Sequence, residues 1–367
     1  MLFRVLPIMA IVAGGTMFST AYAAEQSLAI EEVVVTARKQ EESSQDVPIA
    51  MTAISAQLEN STIRNLTDLN GFAPNVTIGE DGSRGGGGAV INIRGISPTR
   101  SDDNSFDAPI GVMIDGVYLG TLAGQVLENF DLERIEVLRG PQGTLFGKNT
   151  VGGVINVIRS RPTGELGARL KATFGEDGQQ EFRAVVNTPV IEDVLAAKFF
   201  YTSLEDDGFM KNITLGKDEG AKDYQNYGAA FLWTPTDTFE ATLTVEKFDD
   251  NSNLTAFNTN YNVSPGVLAA PSDPNATNYS GGFLNCTLAP QTCRNSLATP
   301  KNSENDTENE AELTTDAITL TMRYELNDNL TIVSTTGYRD MEEYRIYDFD
   351  ASSAPFITIE RWNEYDQ

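Results

Sequence analysis

The sequence lacks histidine entirely, and it has only two cysteines in 367 residues. Histidine is the usual general base and the commonest metal-binding side chain. Its absence therefore excludes histidine-based catalysis and histidine-ligated metals within this chain. We predict no catalytic residue, no metal site and no cofactor, and we do not expect an enzyme.

Basic residues are also scarce, since 26 Lys and Arg stand against 52 Asp and Glu, for a formal net charge of −26. Nucleic-acid binding needs basic patches that neutralise phosphates, so a nucleic-acid partner is excluded. Beyond the N-terminus, no apolar run approaches the roughly 18–20 residues of a membrane helix. If the chain spans a membrane, it must do so as a closed β-barrel, because only helices and barrels satisfy their backbone groups in lipid.

The N-terminus has the pattern of a secretory signal peptide at residues 1–23. Arg4 gives a positive start, residues 5–18 are an apolar stretch, and Ala21-Tyr22-Ala23 matches an A-x-A cleavage site. We expect residues 1–23 to be absent from the mature, exported protein.

Export places the two cysteines, Cys286 and Cys293, in an oxidising compartment. A close pair in such a compartment favours a small loop disulfide over a zinc site. The sequence therefore predicts a disulfide between Cys286 and Cys293.

A short strand-forming segment lies within residues 24–45, ahead of the first domain. It consists of Glu32, Val33, Val34, Val35, Thr36 and Ala37. Its β-branched residues favour a strand, and its flanks are too polar to form a core. Such a segment can add itself to the exposed sheet edge of a partner through main-chain hydrogen bonds. It can equally be the first strand of the following domain, and composition does not separate the two.

This box segment (residues 32–37) resembles the TonB box of TonB-dependent outer-membrane receptors, in sequence and in its position soon after the signal peptide. The resemblance implies that the segment pairs in the periplasm with the energy-transducing protein TonB, which works with an inner-membrane complex. It also implies a plain transporter, since no signalling domain fits between residues 24 and 31.

Residues 46–160 have short apolar runs broken by glycine, which indicates a small mixed α/β domain. Strands are predicted by the apolar runs at residues 90–93, 111–114, 134–138 and 154–158. The spacing in residues 55–69 predicts a helix with Leu58, Leu66 and Leu69 facing inward.

Three motifs in this segment resemble the plug domain of the same receptors. They are Asn92-Ile93-Arg94-Gly95, then Pro109-Ile110-Gly111-Val112 with Asp115-Gly116-Val117-Tyr118, then Ile135-Glu136-Val137-Leu138-Arg139-Gly140-Pro141 with Gly152-Gly153-Val154-Ile155-Asn156. In the family, plug charges of this kind contact the barrel wall. The resemblance therefore implies that Arg94, Glu136 and Arg139 form a polar plug–barrel contact. The alternative is that they only solvate the plug surface.

Beyond Pro162, apolar and polar residues alternate, which predicts strands with one apolar and one polar face. The alternation is clearest in residues 168–174, 195–201, 239–246 and 317–324. Strands of a transmembrane barrel turn the apolar face outward to lipid and the polar face inward. A soluble β-sandwich gives the same alternation, so the strands alone do not decide.

The connections between these strands favour a barrel. Short turns alternate with longer loops at about residues 205–222 and 250–313, as they do in outer-membrane barrels. Trp233, Phe239 and Tyr324 adjoin the short turns, where an aromatic girdle at a membrane interface belongs.

The number of strands indicates an incomplete barrel. We predict about eight strands in residues 161–367, whereas plugged outer-membrane transporters have about 22. An eight-stranded barrel is filled by its own side chains and cannot hold a separate domain. The predicted fold class is an α+β plug domain followed by an incomplete antiparallel transmembrane β-barrel, which should form an open, curved sheet with two unpaired edges.

The resemblance implies active import across the outer membrane of a Gram-negative bacterium, with the plug and box segment facing the periplasm and the wall contacting membrane lipid. A ferric siderophore is the commonest cargo in the family, and a glycan, cobalamin or haem is the alternative. Cargo contact is expected at the plug-apex residues Arg84, Arg100, Asp102, Asp103 and Phe106.

Two other classes of function are open to a chain of this kind. One is a passive outer-membrane pore, which the plug and the box segment disfavour. The other is a secreted β-rich enzyme, which needs paired catalytic carboxylates. Acidic pairs such as Glu41-Glu42, Asp102-Asp103 and Asp249-Asp250 lie in predicted loops, and neighbouring strand residues diverge, so a solvated acidic surface is favoured.

Overall fold

The computed structural model describes residues 34–36, 39–40, 42–55, 66–80, 88–98, 107–121, 131–254, 302–303, 307–348 and 358–367. All of them belong to one compact unit, Val33–Gln367. The signal peptide, the cysteine pair and Leu58 therefore lie outside the described residues. Across the described part of the chain, no helix is both long and apolar enough to cross a membrane.

Short strands dominate the N-terminal part of the described chain. In chain order its elements are β1 (Val34–Val35), β2 (Glu42–Ser43), β3 (Met51–Ile54), a 3-10 helix (Leu66–Leu69), β4 (Val76–Glu80), β5 (Ala89–Ile93), β6 (Ile110–Ile114), β7 (Val117–Tyr118), β8 (Leu132–Arg139), α1 (Gly143–Phe146) and β9 (Gly153–Arg159). A five-stranded sheet has the order β3-β8-β9-β6-β7, with β6 and β9 parallel, while β1–β2 and β4–β5 are separate antiparallel pairs. This mixed sheet with short helices is the predicted α+β domain.

The core of this domain is built from β-branched and leucine side chains that its strands turn inward. Ile135 and Ile155 are fully buried on β8 and β9, and Leu66 and Leu69 cover them from the 3-10 helix as the spacing predicts. Gly153 begins β9 with φ +154°, and a Cβ there would collide with the carbonyl oxygen of Leu138. Only glycine lets β8 and β9 approach so closely at this point.

Long antiparallel strands form the rest of the described chain. In chain order they are β10 (Gly167–Phe174), β11 (Gln180–Ile191), β12 (Leu195–Glu205), β13 (Met210–Asn212), β14 (Lys217–Glu219), β15 (Asp223–Thr236), β16 (Phe239–Asp250), β17 (Asn302–Ser303), β18 (Glu310–Asn327), β19 (Leu330–Asp348) and β20 (Thr358–Asp366). Eight of them make one sheet, the wall, in the order β10-β11-β12-β15-β16-β18-β19-β20. The three short strands β13, β14 and β17 form a separate small sheet. They lie within the two long connections of the wall, β13 and β14 between β12 and β15, and β17 between β16 and β18.

The wall has an inverted distribution of side chains. Leu170 is 79% exposed and Phe174 is 69% exposed, whereas Lys198 and Arg345 are buried on the opposite face, where Lys198 contacts Asp131 of the plug. A sheet that folds in water buries its apolar face and exposes its polar one. The observed arrangement therefore matches the predicted apolar-out, polar-in alternation and argues against a soluble β-sandwich.

The wall is open within the described residues, where no strand pairs with the outer edge of β10 or of β20. Its short turns bring aromatic side chains together, as expected. The ring of Phe239 lies 5.7 Å from that of Trp233 and 6.3 Å from that of Tyr324, measured between centroids. The three rings form a row at the short-turn end of β15, β16 and β18.

Candidate functional site: the box segment and the plug–wall contacts

The described part of the box segment is docked on the plug. Val34 and Val35 form β1, which pairs antiparallel with β2 over two residues. Val35 is fully buried, in one apolar cluster with Val47, Met113 and Leu138. Here the segment therefore acts as a strand of the following domain, one of the two possibilities left open by the sequence. Glu32, Val33 and Ala37 lie outside the described residues.

A buried carboxylate holds the residue that follows β1. Glu136 on β8 is 0% exposed, and its Oε1 accepts hydrogen bonds from the Thr36 main-chain N–H at 2.7 Å and the Thr36 hydroxyl at 3.2 Å. Arg134 Nε donates to the same oxygen at 2.9 Å, and Asn156 Nδ2 donates to Oε2 at 3.2 Å. Hydrogen bonds to an ionised acceptor are about twice as strong as neutral ones. Glu136 is thus the main polar anchor of the box segment.

A second contact lies just beyond the box segment. The Lys39 ammonium sits 4.6 Å from the centroid of the Phe146 ring on α1, within the range of a cation–π interaction. Burial lowers the pKa of Lys39, and the negative charge of Glu136 opposes that shift. The segment is therefore held at Thr36 by hydrogen bonds and at Lys39 by a ring face.

We expect Glu136→Gln to free the box segment while leaving the plug folded. Glutamine keeps the shape of the side chain but removes the charge that strengthens the bonds from Thr36 and Arg134. A cysteine placed at Val35, which is fully buried when docked, should then react about tenfold faster with a soluble thiol reagent, equivalent to about 1.4 kcal/mol of lost docking. Glu165→Gln, at an exposed position in the chain between the plug and the wall, is the matched control. Equal labelling rates in the two variants would contradict a role for Glu136.

The predicted contact of Arg94, Glu136 and Arg139 with the barrel wall does not match the geometry. In the described residues, the hydrogen bonds of Glu136 stay within the plug and box segment, and Arg139 donates to the carbonyl oxygens of Pro74 and Met51 at 3.2 Å and 3.5 Å. The Arg94 guanidinium lies beside Gly140 of the plug. The physical reason is that each of these side chains meets a partner inside the plug or box segment: Thr36 and Arg134 for Glu136, main-chain carbonyls for Arg139, and Gly140 for Arg94.

The plug reaches the wall instead through the end of β9. Arg159 Nε lies 2.6 Å from Asp115 Oδ2 in the plug, and its Nη1 lies 2.7 Å from Glu246 Oε2 on β16. Burial acts to lower the pKa of Arg159, but the two carboxylates outweigh it and raise that pKa. Arg159 therefore stays charged and joins the plug to the wall.

Three further ion pairs lie close to this one. Lys198 on β12 is almost fully buried and lies 2.6 Å from Asp131 of the plug, which also contacts Arg169 on β10. Arg161 Nη2 lies 2.9 Å from Glu240 Oε1 at the start of β16. The sequence could have drawn attention to Lys198, because this lysine falls on the inward face of a strand whose other residues are mostly apolar. Nothing in the sequence predicted that Asp131 would be its partner.

The predicted cargo-contact residues Arg84, Arg100, Asp102, Asp103 and Phe106 lie outside the described residues, as do Cys286 and Cys293. The contacts and the disulfide stay predictions. Among the residues that the structure describes, no group of three or more acidic or cysteine side chains is placed to hold a metal ion.

Comparison with known proteins identifies the N-terminal domain. Residues 43–154 match the family described as TonB-dependent Receptor Plug Domain. The chain is 29% identical over 269 residues to the vitamin B12 transporter BtuB of Vibrio vulnificus, a match that covers 70% of this chain and 41% of the relative. It is 29% identical over 192 residues to the pesticin receptor of Yersinia pestis, covering 51% of this chain and 27% of that receptor.

Solved structures share the fold. The ferric yersiniabactin uptake receptor FyuA from Yersinia pestis matches with a TM-score of 0.66 at 18% identity, covering 87% of this chain and 44% of that one. The ferric-catecholate import receptor Fiu from Escherichia coli, in its open form, matches with a TM-score of 0.60 at 19% identity, covering 89% and 45%. The chain thus spans less than half the length of these proteins.

These matches bear on several sequence-based predictions. The proteins that match are named as receptors and transporters rather than enzymes. They confirm the predicted outer-membrane location and the resemblance stated from the motifs. The chain carries a TonB-dependent receptor plug domain and is related to the TonB-dependent outer-membrane receptors.

Proposed function

We propose that this chain belongs to an active importer, in which TonB pairs with the box segment and pulls it from the plug to open a path for a scarce cargo. The observation that carries the proposal is the docking of the box segment, which rests on a two-residue strand pair and on bonds from Thr36 to Glu136. This attachment is much smaller than the five-stranded sheet behind it. A partner can therefore remove the segment without unfolding the plug.

The ion pairs between the plug and the wall support the proposal that the plug stays in place until TonB pulls on the box segment. Arg159 and Lys198 tie the plug to β16 and β12, and Arg161, the residue just after the plug, pairs with Glu240 on β16. A passive pore has no use for a plug held against its wall or for a detachable N-terminal strand. This arrangement favours energised import over passive diffusion.

A ferric siderophore is the cargo that we propose first, because FyuA and Fiu are both named for iron-chelate uptake. Cobalamin is the second candidate, because a relative that matches 70% of this chain is named as a vitamin B12 transporter. The plug-apex residues given above would contact the cargo, and outer-membrane lipid would surround the exposed face of the wall.

We expect the protein to be much more abundant in outer membranes from iron-starved cells than in those from iron-replete cells. Bacteria that need a chelate importer make it when iron is scarce, so quantitative proteomics of the two membranes measures this directly. Uptake of radiolabelled ferric siderophore should then disappear when the proton-motive force is collapsed. An unchanged abundance, with TonB-dependent uptake of cyanocobalamin, would replace iron by cobalamin as the cargo.

A further inference from the structure

The hairpin of β6 and β7 carries a plug motif, residues 115–118, most of which has no role in the function proposed above. Asp115 and Gly116 form its two-residue turn, with φ +48° and +84°. Positive φ at both positions is typical of a type I′ turn, which Asp-Gly favours because its twist matches that of the paired strands. The strand order β3-β8-β9-β6-β7 places β7 at the edge of the plug sheet opposite β3. The motif thus gives the plug a corner of defined shape at that edge.

The inner face of the wall has a gap where this corner reaches it. Residues of β19 alternate inward and outward, and Thr335 and Gly337 share the inward direction. A Cβ at Gly337 would lie 2.6 Å and 2.8 Å from the two methyl carbons of Val117, and 3.2 Å from its Cβ. Two carbon atoms in contact prefer roughly 3.5–4.0 Å. Val117 therefore occupies the space that a side chain at position 337 would fill.

Glycine at position 337 is unusual, because in the middle of a long strand it weakens the strand and packs no side chain. Such a glycine often marks a β-bulge or a place where another backbone approaches closely. The ladder of β18 and β19 is regular on both sides of Gly337, which pairs with Thr319 without a register shift. The glycine therefore does not serve a bulge, and the approach of Val117 accounts for it.

A side-chain amide holds the main chain of the same hairpin. Gln367, which follows β20, donates from Nε2 to the carbonyl oxygen of Tyr118 and accepts at Oε1 from the Gly120 N–H at 2.8 Å. The main chain of Gln367 is itself fixed by two hydrogen bonds with Arg339 of β19, at 2.9 Å and 3.0 Å. The amide therefore satisfies one backbone acceptor and one backbone donor of the hairpin, as a neighbouring strand would.

We propose that residues 115–120 are a docking element of the plug, and that Gly337 and Gln367 are the positioning residues of a neutral seat for it on the wall. Gly337 sets the position of the hairpin by shape, and Gln367 sets it by two hydrogen bonds. The neutral seat lies on β19 and beside β20, whereas the ion pairs of Arg159 and Lys198 lie on β16 and β12. The seat contains no charged side chain, so salt does not screen it. It holds the plug whether or not TonB acts, and so goes beyond the import function proposed above.

Gly337→Ala in the full-length receptor tests the shape of the neutral seat. Alanine is more favourable than glycine in the middle of a strand, so the change spares β19 itself. Rotating Val117 does not relieve the new contact, because its Cβ and both methyl carbons already lie within 3.2 Å. The conductance of the purified receptor in planar lipid bilayers should increase about tenfold, since the plug leaves its seat more often. Thr336→Ala, at the adjacent outward position, is the control and should match wild type.

Val117→Ala combined with Gly337→Ala separates a lost fit from a general defect in the wall. Removing the two methyl carbons leaves the Cβ atoms 3.2 Å apart, which a small shift relieves. The conductance of the double variant should return to within about twofold of wild type, whereas two independent defects would add. A double variant that conducts as much as Gly337→Ala, or a Gly337→Ala receptor as tight as wild type, would overturn the proposal.

Gln367→Met tests the hydrogen bonds of the neutral seat without adding bulk. Methionine has a similar length but no N–H donor and only a weak acceptor, so Tyr118 and Gly120 lose their partner. Conductance should rise about threefold, and its ratio to wild type should be the same at about 0.1 M and about 1 M salt. Glu364→Gln, on the exposed face of β20, is the control. An unchanged conductance, or a ratio that depends on salt, would overturn the role of Gln367.

These measurements need neither TonB nor a cargo, so the neutral seat and the import function fail separately. A receptor that imports normally but stays tight with Gly337→Ala would overturn the neutral seat alone. A receptor with the expected conductances but no energy-dependent uptake would overturn the import function and leave the neutral seat in place.

Discussion

Replacing Val34 with proline is expected to abolish uptake while leaving cargo binding at the cell surface intact. Proline has no main-chain N–H and a fixed φ, so it removes a donor that strand pairing needs. In the resting receptor Val34 is paired with Ser43 of β2, and in the energised state the same backbone would pair with TonB. Cells relying on this receptor should show binding of radiolabelled ferric enterobactin or cyanocobalamin at wild-type levels and no accumulation inside.

The matched control for this change is Val34→Thr, which keeps the β-branched shape and the main-chain N–H. It should retain uptake, because main-chain hydrogen bonds supply most of the affinity in strand addition. Normal accumulation in the proline variant would show that the box segment does not work by strand pairing. Loss of surface binding in that variant would point to misfolding instead, and the amount of protein in the outer membrane checks this.

Replacing Arg159 with methionine is expected to loosen the plug and make the outer membrane leaky. The change leaves Asp115 and Glu246 facing each other without the cation that neutralises them. Removing one partner of a largely buried ion pair costs about 3 kcal/mol or more. Sensitivity to a large antibiotic such as vancomycin should increase, and the plug should become easier to cleave with protease.

Arg161→Met provides the comparison for Arg159→Met. Arg161 also pairs with a wall carboxylate, Glu240, but the two side chains are 47% and 31% exposed. An exposed pair contributes only about 0–1 kcal/mol, so this variant should stay close to wild type in both assays. If the two variants are equally leaky, or equally tight, burial of the Arg159 pair is not what holds the plug.

The strands of the wall could be predicted from the sequence because their faces follow a period of two. The alternation in residues 239–246 and 317–324 falls within β16 and β18, and the predicted direction of the apolar face agrees with the structure. Local pattern is sufficient here, since lipid on one side and plug on the other act on each strand separately. The aromatic row next to the short turns was predictable for the same reason.

The polar contacts of the plug could not be predicted in this way. Glu136 was predicted to contact the barrel wall, with a solvated plug surface as the alternative, but its partner Thr36 lies 100 residues earlier in the chain. Nothing in the sequence near Glu136 shows that a strand from so far away will cover it. Arg159 carried no prediction from the sequence, because its pairing with Glu246 depends on how the plug sits against the wall.

The way in which the first three strands are joined sets an order of mechanical resistance. β1 is held to β2 by two residue pairs, β3 is held to β8 by four, and β8 is held to β9 by seven. Because β3 follows β1 and β2 in the chain and lies at the edge of its sheet, tension applied at the N-terminus meets the two-pair ladder first and the four-pair ladder next. The seven-pair ladder of β8 and β9 lies farther along the chain, at the centre of the sheet. A moderate force would therefore detach the strands nearest the load and stop at the centre of the sheet. The plug could then return to its resting form when the force is removed, without having to fold again from the start.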